Sequence, residues 1–152
     1  MSRLAAGVTV VSTVDAGGIR HGMTVNSLTS VSLQPLLVLF CCEKDASLHD
    51  PLLQSGRWAV SMLGASQDEL SRWFATRERR GTDQFSRLDV RDGRHTGAPI
   101  LVESLGWLEC HTWATYDGGD HTIVVGEVLD LGCGDDAAGL LYFRGSYEAT
   151  TD

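Results

Sequence analysis

The chain has 152 residues, a formal net charge of -8 and a pI near 4.9. That length suits one domain with a core that needs no disulfide support. The acidic balance argues against a nucleic-acid or anionic-membrane partner, since both require a basic patch. There is no apolar run long enough for a spanning helix, and Met1-Ser2-Arg3-Leu4 is too mixed to open a signal peptide.

In chain order, Gly7 to Val14 is β-branched and half-alternating, which predicts a strand. Asp15-Ala16-Gly17-Gly18 supplies a turn, and extended character resumes at Ile19, so the first two strands form a hairpin. His21 to Pro35, HGMTVNSLTSVSLQP, is the most informative stretch. It carries five hydroxyls (Thr24, Ser27, Thr29, Ser30, Ser32) and the amide of Asn26, with no Asp, Glu, Lys or Arg. Small neutral hydrogen-bonding groups let a planar, polar-edged ligand lie against the backbone with no buried charge to neutralise. The bland alternative is a solvated edge strand.

Leu36 to Cys42 is a continuous apolar run, as in a strand covered on both faces. A short helix follows, with Asp50 as cap, Pro51 in the first helical position and Gly56 as terminator; Ser47 competes as cap one turn earlier. Arg57 to Leu63 is another strand. Ser66 to Ala75 is the clearest helix: Ser66 and Glu69 have capping-box spacing, and Leu70, Trp73 and Phe74 share a face. Thr76 to Asp83 reads as a charged loop. Leu105 to Tyr116 and His121 to Leu131 are long strands joined at Asp117-Gly118-Gly119-Asp120, and the even spacing of Trp107 and Trp113 places both on one face, in the core or a subunit interface. Gly132 to Gly139 reads as a loop and Leu140 to Phe143 as a last strand. Hairpin-linked strands with one or two inserted helices predict an antiparallel barrel over residues 1–152.

Self-contained catalytic chemistry finds no support. There is no G-x-S-x-G elbow, no G-x-G-x-x-G or phosphate loop, and no i, i+4 pair among the five histidines. Cys41, Cys42, Cys110 and Cys133 form neither a CxxC pair nor a zinc spacing, and read as free thiols of a reducing cytoplasm. A bound cofactor remains as the source of chemistry.

The blocks HGMTVNSLTSVSLQP-LLVLF, SGRWAVSML, DQF, WLEC, GGDHTIVVGEV and YFRGSY, in that order, resemble the flavin-reductase-like family from Arg3 to Tyr147. The resemblance implies a mainly β fold: an antiparallel split β-barrel with Greek-key character, a few short helices and a homodimeric assembly. It implies a reductase that uses NADH, or NADPH, to reduce FMN or FAD for a separate flavin-dependent oxygenase. By position, the Gly22-to-Ser27 stretch, with Met23, Thr24, Val25, Asn26 and Ser27, would face the flavin ring and ribityl chain. Cys41, Cys42 and Glu43 would line the ring's other edge through backbone, and Ser47 would help hold the phosphate. Phe85 would pack near the flavin, His121 would stand beside the nicotinamide, and Arg144 and Tyr147 would close the pocket. The chain departs from the family where a basic residue commonly precedes Phe85, which leaves Lys44, Arg77, Arg79 or Arg80 to meet the phosphate charge. The short segment before Gly7 implies a truncated N-terminus. Two other readings accompany this one: a flavin carrier or sensor without turnover, and a split-barrel oxidase or deazaflavin-dependent reductase.

Overall fold

The computed structural model describes residues 3–77, 83–134 and 137–151. A seven-stranded antiparallel sheet dominates. Its strands are β2 (Thr9–Val14), β3 (Arg20–Val25), β4 (Thr29–Leu33), β5 (Leu36–Glu43), β6 (Arg57–Met62), β9 (Gly106–Gly118) and β10 (His121–Cys133), in the order β3-β2-β6-β9-β10-β5-β4. The sheet curls until β3 lies beside β5, yet the two are not joined by a ladder. The barrel is therefore split, and the chain itself crosses the seam between β3 and β4. There the Ser27 hydroxyl accepts a hydrogen bond from the Cys41 amide at 2.9 Å, which pins the crossing to β5.

Alternation on β2 explains how one strand serves two cores. Val11 points into the barrel with Phe40, Trp58, Val60 and Val124. Val8 and Val10 face outward against Leu63, Phe74, Phe85 and Leu140. Phe40 and Trp58 meet edge-on at 5.1 Å, both fully buried, and burial of each stabilises the fold by about 2–3 kcal/mol. Helix α1 (His49–Ser55) caps one end through Leu52, and α2 (Asp68–Ala75) packs on β3 through Ser71 and Phe74. A small sheet, β1 (Ala6–Gly7), β11 (Leu140–Phe143) and β12 (Ser146–Ala149), and a hairpin, β7 (Val90–Asp92) with β8 (Pro99–Leu101), cover the flanks.

The predicted strands and the first hairpin stand, with Asp15 Oδ1 accepting the Gly17 and Ile19 amides at 2.9 Å. Several local expectations are corrected. Helix α1 starts at His49 with Leu48 before it, and neither Asp50 nor Ser47 caps it; Asp50 is taken up by His49 Nδ1 at 2.8 Å. Gly56 does end it, at φ 63°. The Ser66–Glu69 box does not form, because a single 3-10 turn (Ala65–Gln67) precedes α2 and Gln67 Oε1 reaches back to the Gly64 amide at 2.9 Å. The β9–β10 turn is tighter than expected, with His121 paired to Gly118, and β10 runs on to Cys133. Trp107 packs on Ala59, Ala98 and Ile100, whereas Trp113 sits at a bulge opposite Val125 and Gly126 and is 53% exposed. The expected loop from Thr76 to Asp83 lies mostly outside the described residues.

Candidate functional site

Incomplete closure leaves a cavity of about 260 Å³ at the seam. One wall is the backbone of Gly22 to Ser27 on β3 and its extension. The facing wall is Cys41 and Glu43 at the end of β5, then Asp45 to Ser47 and His121. The end of α2 and the segment after it, Phe74 to Arg77, form the third side.

Gly22 shows why the first wall is backbone. A Cβ there would meet Phe74 and Phe85 at 2.7–2.8 Å, so only glycine lets β3 lie this close to the two rings. Its amide donates to Gln84 Oε1 at 2.6 Å, and Trp73 Nε1 donates to the Gln84 carbonyl at 3.1 Å. Asp83 completes the clamp by accepting from Arg20 at 2.8 Å and from the Phe85 amide at 2.9 Å. Burial acts to raise the Asp83 carboxyl, but the Arg20 and Phe85 hydrogen bonds outweigh it and hold the group below its ordinary value. Thr24 donates to the Ser71 carbonyl at 2.5 Å, fixing β3 to α2. Among the described residues, the Asn26 and Ser47 side chains have no hydrogen-bond partner, and both line the cavity.

His121 opens β10, directly across from Glu43 in the ladder. Its Nδ1 lies 2.7 Å from Asp120 Oδ1, which fixes the ring and lowers the Asp120 carboxyl, the hydrogen bond contributing most. Lys44 turns away to Asp117 at 2.6 Å and lines a neighbouring cavity of about 320 Å³ with His21, Ser47 and Asp50. Arg77 bonds to Glu43, joining the end of α2 to the end of β5 across the cavity.

The structure thus gathers Met23, Thr24, Val25, Asn26, Ser27, Cys41, Glu43, Ser47 and His121 around one cavity. Four expected residues do not line it. Cys42 points into the barrel core at 0% exposure, because alternation on β5 sends it inward when Cys41 faces out. Phe85 is buried behind Gly22, one layer back. Arg144 occupies the exposed β11–β12 turn at φ 52°, over the Phe143 ring. Tyr147 lines an adjoining cavity of about 290 Å³ with Tyr142 and Asn26, its hydroxyl 2.7 Å from Ser71 Oγ. Arg79 and Arg80 lie outside the described residues. Sequence reasoning missed Gln84, Phe74, Ala75, Thr76, Asp45 and Ala46. Gln84 alone left a signal, a neutral amide beside a buried phenylalanine in the DQF block.

Comparison with known proteins gives this geometry its context. The family model described as "Flavin reductase like domain" matches residues 1–151. An NADH-dependent FAD reductase of Streptomyces globisporus is 43% identical over 142 residues, covering 93% of this chain and 77% of that protein. The solved flavin reductase component of a bacterial two-component tryptophan halogenase superposes with a TM-score of 0.92 at 43% identity, over 99% of this chain and 94% of that one. An NADH:FAD oxidoreductase of Streptomyces globisporus, solved with NAD and FAD fragments, gives 0.90 at 39% identity, over 99% of this chain and 88% of that one.

Proposed function

This chain belongs to the flavin reductase like family, and we propose that it is an NAD(P)H:flavin oxidoreductase delivering reduced FMN or FAD to a separate oxygenase. The observation that carries the reading is the seam cavity: neutral backbone and hydroxyl groups on one wall, the Asp120-oriented His121 on the other. The residues present fit a flavin. The Gly22 to Ser27 wall offers a surface that a planar ring can approach closely, and Asn26 and Ser47 offer hydrogen-bonding groups with no partner among the described residues. A flavin held against the Gly22 to Ser27 wall would supply the two-electron chemistry for which the chain has no group of its own.

The chain's own part is positioning. The Gln84–Gly22 and Thr24–Ser71 bonds fix the first wall in place, so a ring laid on it meets a preformed surface. His121, held through Nδ1, lines the cavity as a hydrogen-bonding and electrostatic group; no side chain need move a proton in the hydride step. Homodimerisation belongs to the same proposal, supported by exposed apolar side chains on the sheet, among them Leu33, Trp113, Tyr116 and Leu131. So does a cytoplasmic location, supported by the four free thiols.

The test is NADH and NADPH oxidation, followed by loss of nicotinamide absorbance, with purified protein and added FMN or FAD. Flavin-dependent turnover is expected, and His121→Ala should lower turnover more than flavin affinity. Retained flavin with no oxidation of either nicotinamide would overturn the reductase reading in favour of a carrier. Light scattering should give the mass of a dimer, and a monomeric mass would remove that part of the proposal.

A further inference from the structure

The cavity is poor in positive charge. Among the described residues, Arg77 is its only guanidinium or ammonium group, whereas Glu43 and Asp45 line it and Asp120 stands beside His121. The whole chain carries a net charge of -8. A phosphorylated ligand entering such a site meets repulsion unless a cation is turned toward it. Arg77 is placed for that task, but its charge is spoken for: it pairs with Glu43 on the opposite wall, closing the ring around the cavity.

Building on the flavin reading above, we propose that Arg77 is the residue that recognises flavin phosphate and that Glu43 holds it in reserve. On binding, the guanidinium leaves Glu43 for the phosphate, so the cavity selects phosphorylated flavins over riboflavin. The exchange is favourable because of where the pair sits. Arg77 is 70% exposed and Glu43 32%, so their ion pair is solvent-screened and contributes little. A guanidinium–phosphate contact can be bidentate and charge-assisted, which makes it the stronger of the two. When Arg77 departs, the Glu43 carboxylate, already 32% exposed, falls back on solvent. Lys44, which follows Glu43, is engaged by Asp117 on the hairpin.

The experiment measures dissociation constants for FMN and for riboflavin by fluorescence quenching, on the wild type, Arg77→Gln and Glu43→Gln. The wild type should bind FMN more tightly than riboflavin. Arg77→Gln should weaken FMN about tenfold and leave riboflavin unchanged, a factor equal to about 1.4 kcal/mol. Glu43→Gln should tighten FMN several-fold, again without effect on riboflavin, because the reserve contact no longer competes. Equal effects on both flavins would overturn the proposal, as would weaker FMN binding in Glu43→Gln or no selectivity in the wild type. In those cases the flavin reading itself survives. Failure of the wild type to bind FMN, FAD or riboflavin would remove both.

Discussion

Replacement of Gly22 by alanine probes the link between packing and the site most directly. The new Cβ would lie 2.7 and 2.8 Å from Phe74 ring carbons and 2.8 Å from Phe85 Cζ. Ordinary carbon contacts need about 3.5 Å or more, so rings or strand must give by about 0.7–0.8 Å. Phe74 is 3% and Phe85 1% exposed and their centroids are 4.8 Å apart, so a shift of either ring presses on the other. Overpacking of this kind costs about 1–3 kcal/mol, and three simultaneous contacts place it near the upper half. At about 2–4 °C per kcal/mol for a chain of this size, Tm should fall by about 4–12 °C. The strand can relieve the clash only by lifting off α2, which strains the Gly22–Gln84 bond and shifts the cavity wall, so flavin affinity should fall as well. Thermal and urea unfolding would measure the cost, with Gly7→Ala as control, because nothing lies within 4 Å of a Cβ there. Phe74→Leu removes the ring edge, so Gly22→Ala should cost less in that background, by at least about 0.5 kcal/mol in a double-mutant cycle. A loss no larger than that of Gly7→Ala, or strict additivity with Phe74→Leu, would refute the packing argument.

Three further outcomes follow from other parts of the fold. Glu109 is fully buried, and its Oε2 accepts from the His95 amide at 2.9 Å and from the Thr96 amide and hydroxyl at 2.8 Å. Glu109→Ala strands those donors and should cost about 3–5 kcal/mol in urea unfolding, Glu109→Gln less; a cost under about 1 kcal/mol would contradict the anchoring role. Asp15 is held below its ordinary value by the hydrogen bond to His21, then by the Ile19 and Gly17 amides. A depressed folded pKa stabilises the fold above the unfolded value, about pH 4, and that stabilisation is lost as pH falls through the folded pKa. The stability gap between wild type and Asp15→Asn should therefore close on acidification, and a gap independent of pH between about 3 and 7 would count against it. Burial pushes the Cys42 and Cys110 thiols up to about 12. A thiol-specific disulfide reagent near neutral pH should modify exposed Cys133 first and reach Cys42 and Cys110 only on unfolding; early labelling of either would show that the core opens.

Elements whose signal is local were legible in the sequence. The LLVLFCC run, the Asp15–Gly18 turn and the paired long strands around Gly119 each carry their own periodicity or turn chemistry, and they define the large sheet. Strands β7, β8 and β12 span only three or four residues, too short for alternation to register, and exist because a partner strand satisfies them. The helix caps failed for a related reason. Asp50 and Ser66 have the right chemistry at nearly the right place, but His49 competes for one and a 3-10 turn displaces the other. In the hydroxyl-rich stretch both readings apply, in sequence. Its first half, Gly22 to Ser27, is cavity wall, whereas β4 is an edge strand with Thr29, Ser30, Val31 and Leu33 exposed. Composition cannot separate the halves, because the division is made by the seam crossing at Ser27.

That crossing explains why a site forms here. A closed barrel fills its interior and pairs every strand edge, leaving no groove where backbone can meet a ligand. Here β3 ends the sheet on one side, β4 on the other, and the gap between β3 and β5 is bridged by Ser27 and spanned at its rim by Arg77 and Glu43. The rigid parts of the wall are held by buried bonds such as Gly22–Gln84, whereas the rim is held by a screened ion pair. Binding energy can then be used to exchange the rim contact without disturbing the wall. A ligand with a planar body and an anionic tail meets both conditions: the body needs a wall that does not move, and the tail needs a cation that does.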